Sequence, residues 1–351
     1  MLSNMKYKPL ILLTLFLSLS MNETWADDRY LSPDKKMELI HGGIVYLAKN
    51  QKMDGRWEHP QYPTAVTALS ALSILGMGHT PHRGPYQETL TKAVDLLLSA
   101  QREKDGLIAI PGEQRSMYGH GFSTLFLSQV FGMSGGMTPN SRIKNALQNA
   151  VDLIVKSQND KGGWYYEPFS FDDEGTITIV QIQALRGCRD VGIVVPKETI
   201  EKALDYVKKS QYENGGIAYG VGPSGNATPA LTSAGMAVLF NAGEYDVTEV
   251  HAKGFRYLDE QFKEFLTGSE KKEVGGGHFL YTHFYASQVY KLRGGFYRED
   301  YFRVIEKVLE EQMKGTGGER FWDIEEGPFY STAMALLILE MELEYLPIFT
   351  D

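Results

Sequence analysis

Cysteine is almost absent from this chain of 351 residues, since the only thiol is that of Cys188. A disulfide within the chain is therefore excluded, and cysteine usage gives no information on the redox compartment. Positive charge is also scarce, because 35 Lys and Arg stand against 44 Asp and Glu, a formal net charge of −9. Without clusters of basic residues, nucleic acid is not expected as a partner.

Familiar catalytic motifs are missing as well. The sequence has no nucleotide-binding glycine loop, no Ser-His-Asp signature and no HExxH zinc motif. Cys188 stands in RGCRD within an apolar stretch, which favours a buried structural thiol over a reactive one. We therefore predict no metal site and no cofactor.

Long apolar runs are confined to the N terminus. Lys6 and Lys8 precede an apolar run over residues 10–19, and Ala26 offers a small residue before Asp27. This order is typical of a signal peptide, and the run is shorter than the roughly 20 residues that a spanning helix needs. We predict a cleaved signal peptide of residues 1–26, a periplasmic or secreted protein, and no transmembrane helix in residues 27–351. An uncleaved N-terminal anchor is the alternative.

The sequence is dominated by an internal repeat. Ile143, Leu147, Val151 and Ile154 fall on one face of a helix, which ends in Gln158, a glycine-rich turn and a large apolar residue. The same order recurs about every fifty residues, a period typical of repeat architectures. The glutamines that mark it are Gln51, Gln101, Gln158, Gln211, Gln261 and Gln312, and the fifth repeat is degenerate.

A second, more apolar helix follows each turn. Helices that are apolar on all sides are buried, whereas helices with one apolar stripe lie at the surface, so each repeat predicts one outer and one inner helix. The inner segments are residues 62–76, 118–133, 176–191, 229–242, 281–293 and 330–343. Six such hairpins without polar capping repeats favour a closed ring over an open solenoid. The predicted fold is all-α, a single (α/α)6 toroid formed by residues 27–351.

Two stretches, YLAKNQKMDGRW at 46–57 and LIVKSQNDKGGW at 153–164, resemble the QW repeat of squalene-hopene and oxidosqualene cyclases. The chain is thus similar to the superfamily of α/α toroids that includes terpene cyclases and protein prenyltransferases. This resemblance covers nearly all of residues 27–351. It implies a central cavity that binds a hydrophobic, isoprenoid-like ligand.

The resemblance also implies candidate acids. Class II cyclases carry a DxDD motif, and the nearest match here is Asp172-Asp173-Glu174-Gly175-Thr176, in which Glu174 stands at the position of the catalytic Asp. Two of the three carboxylate positions depart from that pattern. The Asp-x-Cys zinc ligands of the prenyltransferases have no counterpart. Attraction of carboxylates to a helix N terminus is an alternative explanation of the acidic cluster.

Alignment of the inner helices predicts residues at one mouth of the cavity. Near the helix starts it places Thr64, His120, Thr178, Thr232, His283 and Thr332, and two residues earlier Tyr62, Tyr118, Thr176, Ala230, Tyr281 and Tyr330. His120 and His283 are expected to face each other across the cavity, which makes them candidate catalytic groups beside Asp172, Asp173 and Glu174. The alternatives are helix capping by the threonines and a structural hydrogen bond at His120.

The turns supply further acidic and aromatic residues for this mouth. They are Glu58, His59, Glu113, Asp323, Glu325, Glu326, Tyr165, Tyr166, Phe169, Phe171 and Phe329. Aromatic walls suit a carbocation-like isoprenoid, a sugar ring or a peptide.

Three functions therefore stay open. The first is an exported toroid that binds a hydrophobic, isoprenoid-like small molecule in a deep cavity with Asp172 or Glu174 pointing inward. The second is a non-catalytic periplasmic interaction protein with a protein partner, which predicts a shallow or filled cavity. The third is a carbohydrate-active (α/α)6 enzyme, which needs two inward carboxylates about 5 to 10 Å apart.

Overall fold

The computed structural model describes residues 30–133, 141–221, 226–241, 249–267, 274 and 276–349. The signal peptide predicted at residues 1–26 lies outside these residues. The described chain contains helices α1 Pro33–Asn50, α2 Pro63–Leu75, α3 Gln87–Ser99, α4 Met117–Met133, α5 Ser141–Ser157, α6 Gly175–Asp190, α7 Lys197–Lys209, α8 Pro229–Asn241, α9 Glu249–Thr267, α10 Phe279–Arg293, α11 Gly295–Gln312 and α12 Gly327–Leu339. No helix in these ranges is long and apolar enough to cross a membrane.

The even-numbered helices form a closed inner ring. Each packs against the next, from α2 through α4, α6, α8 and α10 to α12, and α12 packs back against α2. The odd-numbered helices lie outside this ring. In α2, twelve of thirteen residues are buried, whereas the outer helix α3 buries four of thirteen. The predicted all-α, (α/α)6 toroid is confirmed. It could be predicted because the inner helices are apolar on nearly all sides, whereas the outer helices carry a single apolar stripe.

In the described chain, four of the marker glutamines tie their repeat to the next one through their side chains. The amide nitrogen of Gln158 donates to the carbonyl oxygen of Gly162 in its own turn and to that of Thr199 in the next outer helix, both at 2.9 Å. Gln51, Gln101 and Gln211 make the equivalent pair of bonds. Gln261 departs from this pattern because it is exposed within α9.

The turn glycines allow the next outer helix to approach closely. Gly162 has φ +96°, and a Cβ built there would lie 2.3 Å from the carbonyl oxygen of Lys202 in α7. Gly55, Gly106 and Gly215 meet backbone oxygens of the following helices in the same way. Glycine is required here by both the left-handed backbone and the short distance.

The tryptophans anchor the turns from inside. Trp164 is fully buried, and its indole N–H donates to the carbonyl oxygen of Ile154 at 2.7 Å. Trp57 and Trp322 make the same bond to Leu47 and Leu309. The indole therefore both fills the space under the turn and satisfies a carbonyl near the end of the outer helix.

The two ends of the ring differ. The C-terminal segment Pro347–Phe349 packs against α4 and α6, where Gln129 accepts the backbone N–H of Ile348 and Lys291 donates to the carbonyl oxygen of Phe349. The opposite end, at the N termini of the inner helices, holds a cavity. Ligand access is consequently expected at the N-terminal end of the ring.

Candidate functional site

A cavity of about 260 Å³ lies at the N-terminal ends of the inner helices. Every repeat contributes one tyrosine to it, and we call these six residues the tyrosine wall: Tyr62, Tyr118, Tyr166, Tyr219, Tyr281 and Tyr330. Tyr62 contacts Tyr118 edge-on at 5.9 Å between ring centroids, and Tyr118 contacts Tyr166 at 6.1 Å. The wall is therefore a continuous aromatic surface over the first three repeats.

Four residues of the tyrosine wall are those predicted from the inner helices, namely Tyr62, Tyr118, Tyr281 and Tyr330. In the third and fourth repeats the aligned positions hold Thr176 and Ala230, which also line the cavity. Tyr166 and Tyr219 supply the missing aromatic rings from the turns. Sequence alignment missed Tyr219 because a turn has no periodic pattern that would mark its side-chain direction.

Glu174 is the one carboxylate that is buried in the cavity wall. It is the N-cap of α6 and accepts the backbone N–H of Ile177 at 2.9 Å. The hydroxyl of Thr176 donates to the same carboxylate, so the Tyr118 hydroxyl donates in turn to Thr176. Burial raises the pKa of Glu174, although its hydrogen bonds and Arg115 oppose the rise. Glu174, Thr176 and Tyr118 thus form one hydrogen-bonded chain that reaches the cavity.

Arg115 is the only Lys or Arg among the residues that line the cavity in the described chain. Its guanidinium lies 4.4 Å above the centre of the Tyr166 ring and donates to the Tyr62 hydroxyl at 3.4 Å. The backbone of Arg115 is left-handed, with φ +52°, a conformation that is uncommon outside glycine. This cation is held over an aromatic face at the cavity rim.

His59 and Glu326 line the cavity where the first and sixth repeats meet. The Nδ1 atom of His59 accepts the backbone N–H groups of Gln61 and Tyr62, which places the ring hydrogen on Nε2. That Nε2 atom lies 3.5 Å from a carboxylate oxygen of Glu326. Glu326 also has a left-handed backbone, with φ +50°. His278 is a third polar residue of the lining.

The remaining wall is apolar. Ala65, Val66 and Leu69 of α2 and Phe122 of α4 line the cavity on one side. Phe169 and Phe171, which the sequence suggested for the mouth, are 55% and 95% exposed and are not part of the lining.

His120 and His283 do not face each other across the cavity, which corrects their proposed placement. His120 is fully buried, accepts the backbone N–H of Ile108 at Nδ1 and contacts the carbonyl oxygen of Ala150 in the outer helix α5. Burial lowers its pKa to about 4. His120 therefore makes a structural hydrogen bond, which was the alternative to a role in the cavity.

His283 is equally buried and points toward the outer layer. Its Nδ1 lies 2.8 Å from the hydroxyl of Tyr301 in α11, and its ring packs against Phe262, Phe265 and Phe279. This environment lowers its pKa to about 3. Neither imidazole is placed to act on a ligand in the cavity.

The threonines also require a correction. Thr178, Thr232 and Thr332 accept the backbone N–H of Trp164, Ile217 and Trp322, the anchor residues of their own turns, and they do not line the cavity. The alternative that these threonines cap backbone donors is close to the observed arrangement, since each hydroxyl accepts one buried backbone N–H group.

In the first repeat the equivalent residue is Thr67, which accepts the N–H of Trp57. Thr64 binds the N–H of Ile110 in the next repeat and does not line the cavity either.

Asp172 and Asp173 lie away from the cavity. Asp172 is exposed. Asp173 accepts the hydroxyl of Tyr206 at 2.8 Å and forms an ion pair with Lys161 at 2.7 Å. Of the acidic cluster 172–174, only Glu174 belongs to the cavity.

Gly119 and Gly121 flank His120 and fit neighbouring helices, not a ligand. A Cβ at Gly119 would lie 2.6 Å from the Cβ of Thr64 in α2, and one at Gly121 would lie 2.4 Å from a methyl carbon of Val180 in α6. These glycines allow α4 to pack tightly between its two inner neighbours.

Three turn carboxylates lie beside the N termini of inner helices. Glu325 accepts the backbone N–H groups of Leu280 and Tyr281 at the start of α10, and Glu167 accepts that of Ser116 beside the start of α4. Glu113 lies beside the first amides of α2, and burial raises its pKa to about 8. Each carboxylate comes from the turn of the repeat that follows the helix. Glu325 and Glu167 thus cap helix N termini across the repeat boundary, and Glu113 lies at the corresponding place in the first repeat boundary.

The described residues contain no group of three or more His, Cys, Asp or Glu side chains arranged to hold a metal ion. Cys188 is fully buried, and burial raises the pKa of its thiol.

Comparison with known proteins places this geometry among the (α/α)6 toroids. No protein-family model and no curated protein sequence matches the chain. Solved structures do: D-mannose isomerase has a TM-score of 0.64 at 12% identity and covers 89% of this chain and 97% of its own. Cellobiose 2-epimerase from Spirochaeta thermophila has a TM-score of 0.65 at 13% identity, with coverages of 88% and 95%.

Type II terpene cyclase MstE from Scytonema is similar to the same degree. Its TM-score is 0.61 at 13% identity, and the match covers 90% of this chain and 100% of that one. Two sugar-converting enzymes and a terpene cyclase thus share one fold with this chain. At such low identity the likeness establishes the toroid fold, and the choice of ligand depends on the residues of the cavity.

Proposed function

We propose that the cavity binds a small, polyhydroxylated ligand of the size of a monosaccharide. The observation that carries this proposal is the tyrosine wall, which surrounds the space with aromatic faces and hydroxyl groups beside the Glu174 carboxylate. Sugars present apolar ring faces and many hydroxyls, so both kinds of surface have a counterpart.

Cavity size supports a small ligand. Its volume of about 260 Å³ lies below the roughly 300–1,000 Å³ of typical ligand pockets. A long isoprenoid chain would extend out of such a space. The second function, a protein-interaction toroid, predicted a shallow or filled cavity, and the open volume does not favour it.

Polarity separates a sugar from a hydrocarbon. Glu174, Thr176, His59, His278 and Arg115 all line the cavity beside the tyrosine wall. A hydrocarbon would desolvate these polar groups without replacing their hydrogen bonds to water. The cost is about 1–3 kcal/mol for each polar group buried in this way. A prenyl diphosphate would bring several negative charges to a lining with one guanidinium and the carboxylates of Glu174 and Glu326. A neutral polyol avoids both costs.

One observation favours a second candidate. The apolar side formed by Ala65, Val66, Leu69 and Phe122 suits a short hydrocarbon or a terpenoid alcohol, in line with the terpene cyclase resemblance. We also propose that binding takes place outside the cytoplasm, on the strength of the pattern in residues 1–26.

Isothermal titration calorimetry tests the proposal. The probes are D-glucose, D-mannose, D-galactose and N-acetyl-D-glucosamine, with farnesol as the hydrocarbon alternative. We expect at least one sugar to bind and Glu174→Gln to weaken it about tenfold or more, since a hydrogen bond to a charged group contributes about 1.5–3 kcal/mol.

Glu167→Gln is the matched control, because Glu167 caps an inner helix but does not line the cavity. Binding of farnesol without any sugar, or equal weakening by both variants, would show the proposal to be wrong.

A further inference from the structure

The central cavity continues into a second depression. A groove of about 410 Å³ is lined by Glu58, His59, Pro60, Gln61, Glu326, Gly327, Pro328 and Phe329, and we call it the seam groove. Its residues come from the turns of the first and sixth repeats, where the toroid closes on itself. His59 and Glu326 line both the cavity and the groove. The two spaces are therefore adjacent and share a boundary.

The two boundary residues are positioned differently, His59 through its side chain and Glu326 through its backbone. Two backbone N–H groups orient the His59 ring, which also stacks on Tyr62 with 5.4 Å between ring centroids. Glu326 keeps a left-handed backbone at the N-cap of α12, and its side chain is 53% exposed. Non-glycine residues in this conformation cost about 1 kcal/mol or more and are retained where the surrounding structure requires them. The imidazole N–H and the carboxylate thus meet where a ligand would pass from one space to the other.

The groove has the polarity of the cavity. Glu58, Gln61 and Glu326 supply hydrogen-bonding groups, and Pro60, Pro328 and Phe329 supply apolar surface. Its lining, like that of the cavity, contains groups for both faces of a sugar unit. Phe329 is itself braced by Tyr46, with 5.9 Å between ring centroids.

We infer that the physiological ligand is the end of an oligosaccharide, with the terminal unit in the cavity and the next unit in the seam groove. This inference rests on the proposed sugar binding and adds the length of the ligand. His59 and Glu326 contact the linkage between the two units. A monosaccharide fills only half of the site.

Affinity as a function of chain length tests the inference. Mono-, di- and trisaccharides of glucose and of mannose are titrated into the purified protein by calorimetry. We expect at least a tenfold gain from mono- to disaccharide and little further gain from the third unit. Equal affinity for mono- and disaccharide would overturn the inference while leaving the proposed function intact. Failure of every monosaccharide and oligosaccharide to bind would overturn the proposed function as well.

Variants that fill the seam groove test whether the higher affinity for disaccharides arises there. Gln61→Trp and Glu58→Trp place a large ring in the seam groove at exposed positions. Both are expected to remove the disaccharide gain and leave monosaccharide affinity unchanged. Lys197→Trp, at a side chain that is 88% exposed on α7, is the control. A gain that survives in both groove variants would show that the second unit binds elsewhere and would contradict the inference. The use of two sites guards against one variant that fails to fold.

Discussion

Replacing Gly162 by alanine tests whether the turn glycines are needed for close packing or only for backbone conformation. Gly162 has φ +96°, and a Cβ there would lie 2.3 Å from the backbone oxygen of Lys202. Gly192 offers a matched comparison, because it has φ +81° and no atom within 4 Å of the position of a Cβ. Both substitutions strain the backbone, but only one creates a clash.

The expected magnitudes differ accordingly. A left-handed alanine costs about 1–2 kcal/mol, and the lower entropy of the unfolded chain returns about 0.4–1 kcal/mol in both variants. Gly192→Ala is thus expected to lower the free energy of unfolding by between about 0 and 1.6 kcal/mol. At Gly162 the new methyl must also displace α7, which adds roughly 1–3 kcal/mol, as overpacking does in protein cores. The shift would lengthen the bonds that Gln158 makes to Gly162 and Thr199.

Urea unfolding followed by tryptophan fluorescence measures the difference, since Trp164 lies beside the altered turn. The midpoint of Gly162→Ala is expected to fall clearly below that of Gly192→Ala, with similar slopes against urea concentration. Equal midpoints would refute the reasoning, because backbone strain alone would then account for both variants.

Two further predictions concern pH. Burial raises the pKa of Glu113 to about 8 in the folded state, so the folded protein binds this proton more tightly than the unfolded chain does. The free energy of unfolding should therefore fall as pH rises from about 4.5 to 8. Glu113→Gln should flatten this part of a plot of urea midpoint against pH. The pKa of His283 is lowered to about 3, so the unfolded chain takes up its proton first as pH falls below about 6.5. The loss should reach about 3 kcal/mol near pH 4.5, and His283→Phe, which fits among Phe262, Phe265 and Phe279, should reduce it. Unchanged pH profiles in these variants would contradict the assigned burial of each group.

The inner helices could be predicted from sequence because they are apolar on nearly all sides, as buried helices are. A helix such as α12, with nine of thirteen residues buried, has no polar stripe to confuse with an outer helix. The regular spacing of glutamine and glycine then indicated the number of repeats, and in four repeats this pair serves the boundary with the next repeat.

The register at the helix starts could not be predicted in the same way. Trp57 and Thr67 are separated by 10 residues, Ile108 and His120 by 12, and Trp164 and Thr178 by 14. Because the turn length varies, alignment on the helix start selected Thr64 in place of Thr67, one helical turn away. A shift of about one helical turn along an inner helix therefore separates side chains that bind the turn from side chains that line the cavity.

Turn residues were the least predictable part of the site. Tyr219 and Arg115 reach the cavity through irregular backbone, and Arg115 does so in a left-handed conformation. Glu174 was found because of a resemblance to an acid motif, yet the two aspartates before it face away. Chemistry-bearing residue types can be recognised in a turn, but their direction depends on tertiary contacts.

A sugar unit is proposed to occupy the cavity inside the tyrosine wall. A crystal structure of the protein soaked with the tightest-binding sugar tests it most directly. We expect a pyranose ring against Tyr118 and Tyr330, with a hydroxyl within hydrogen-bond distance of the Glu174 carboxylate. Sugar bound at another surface, or a cavity filled by a hydrocarbon that persists through the soak, would contradict it.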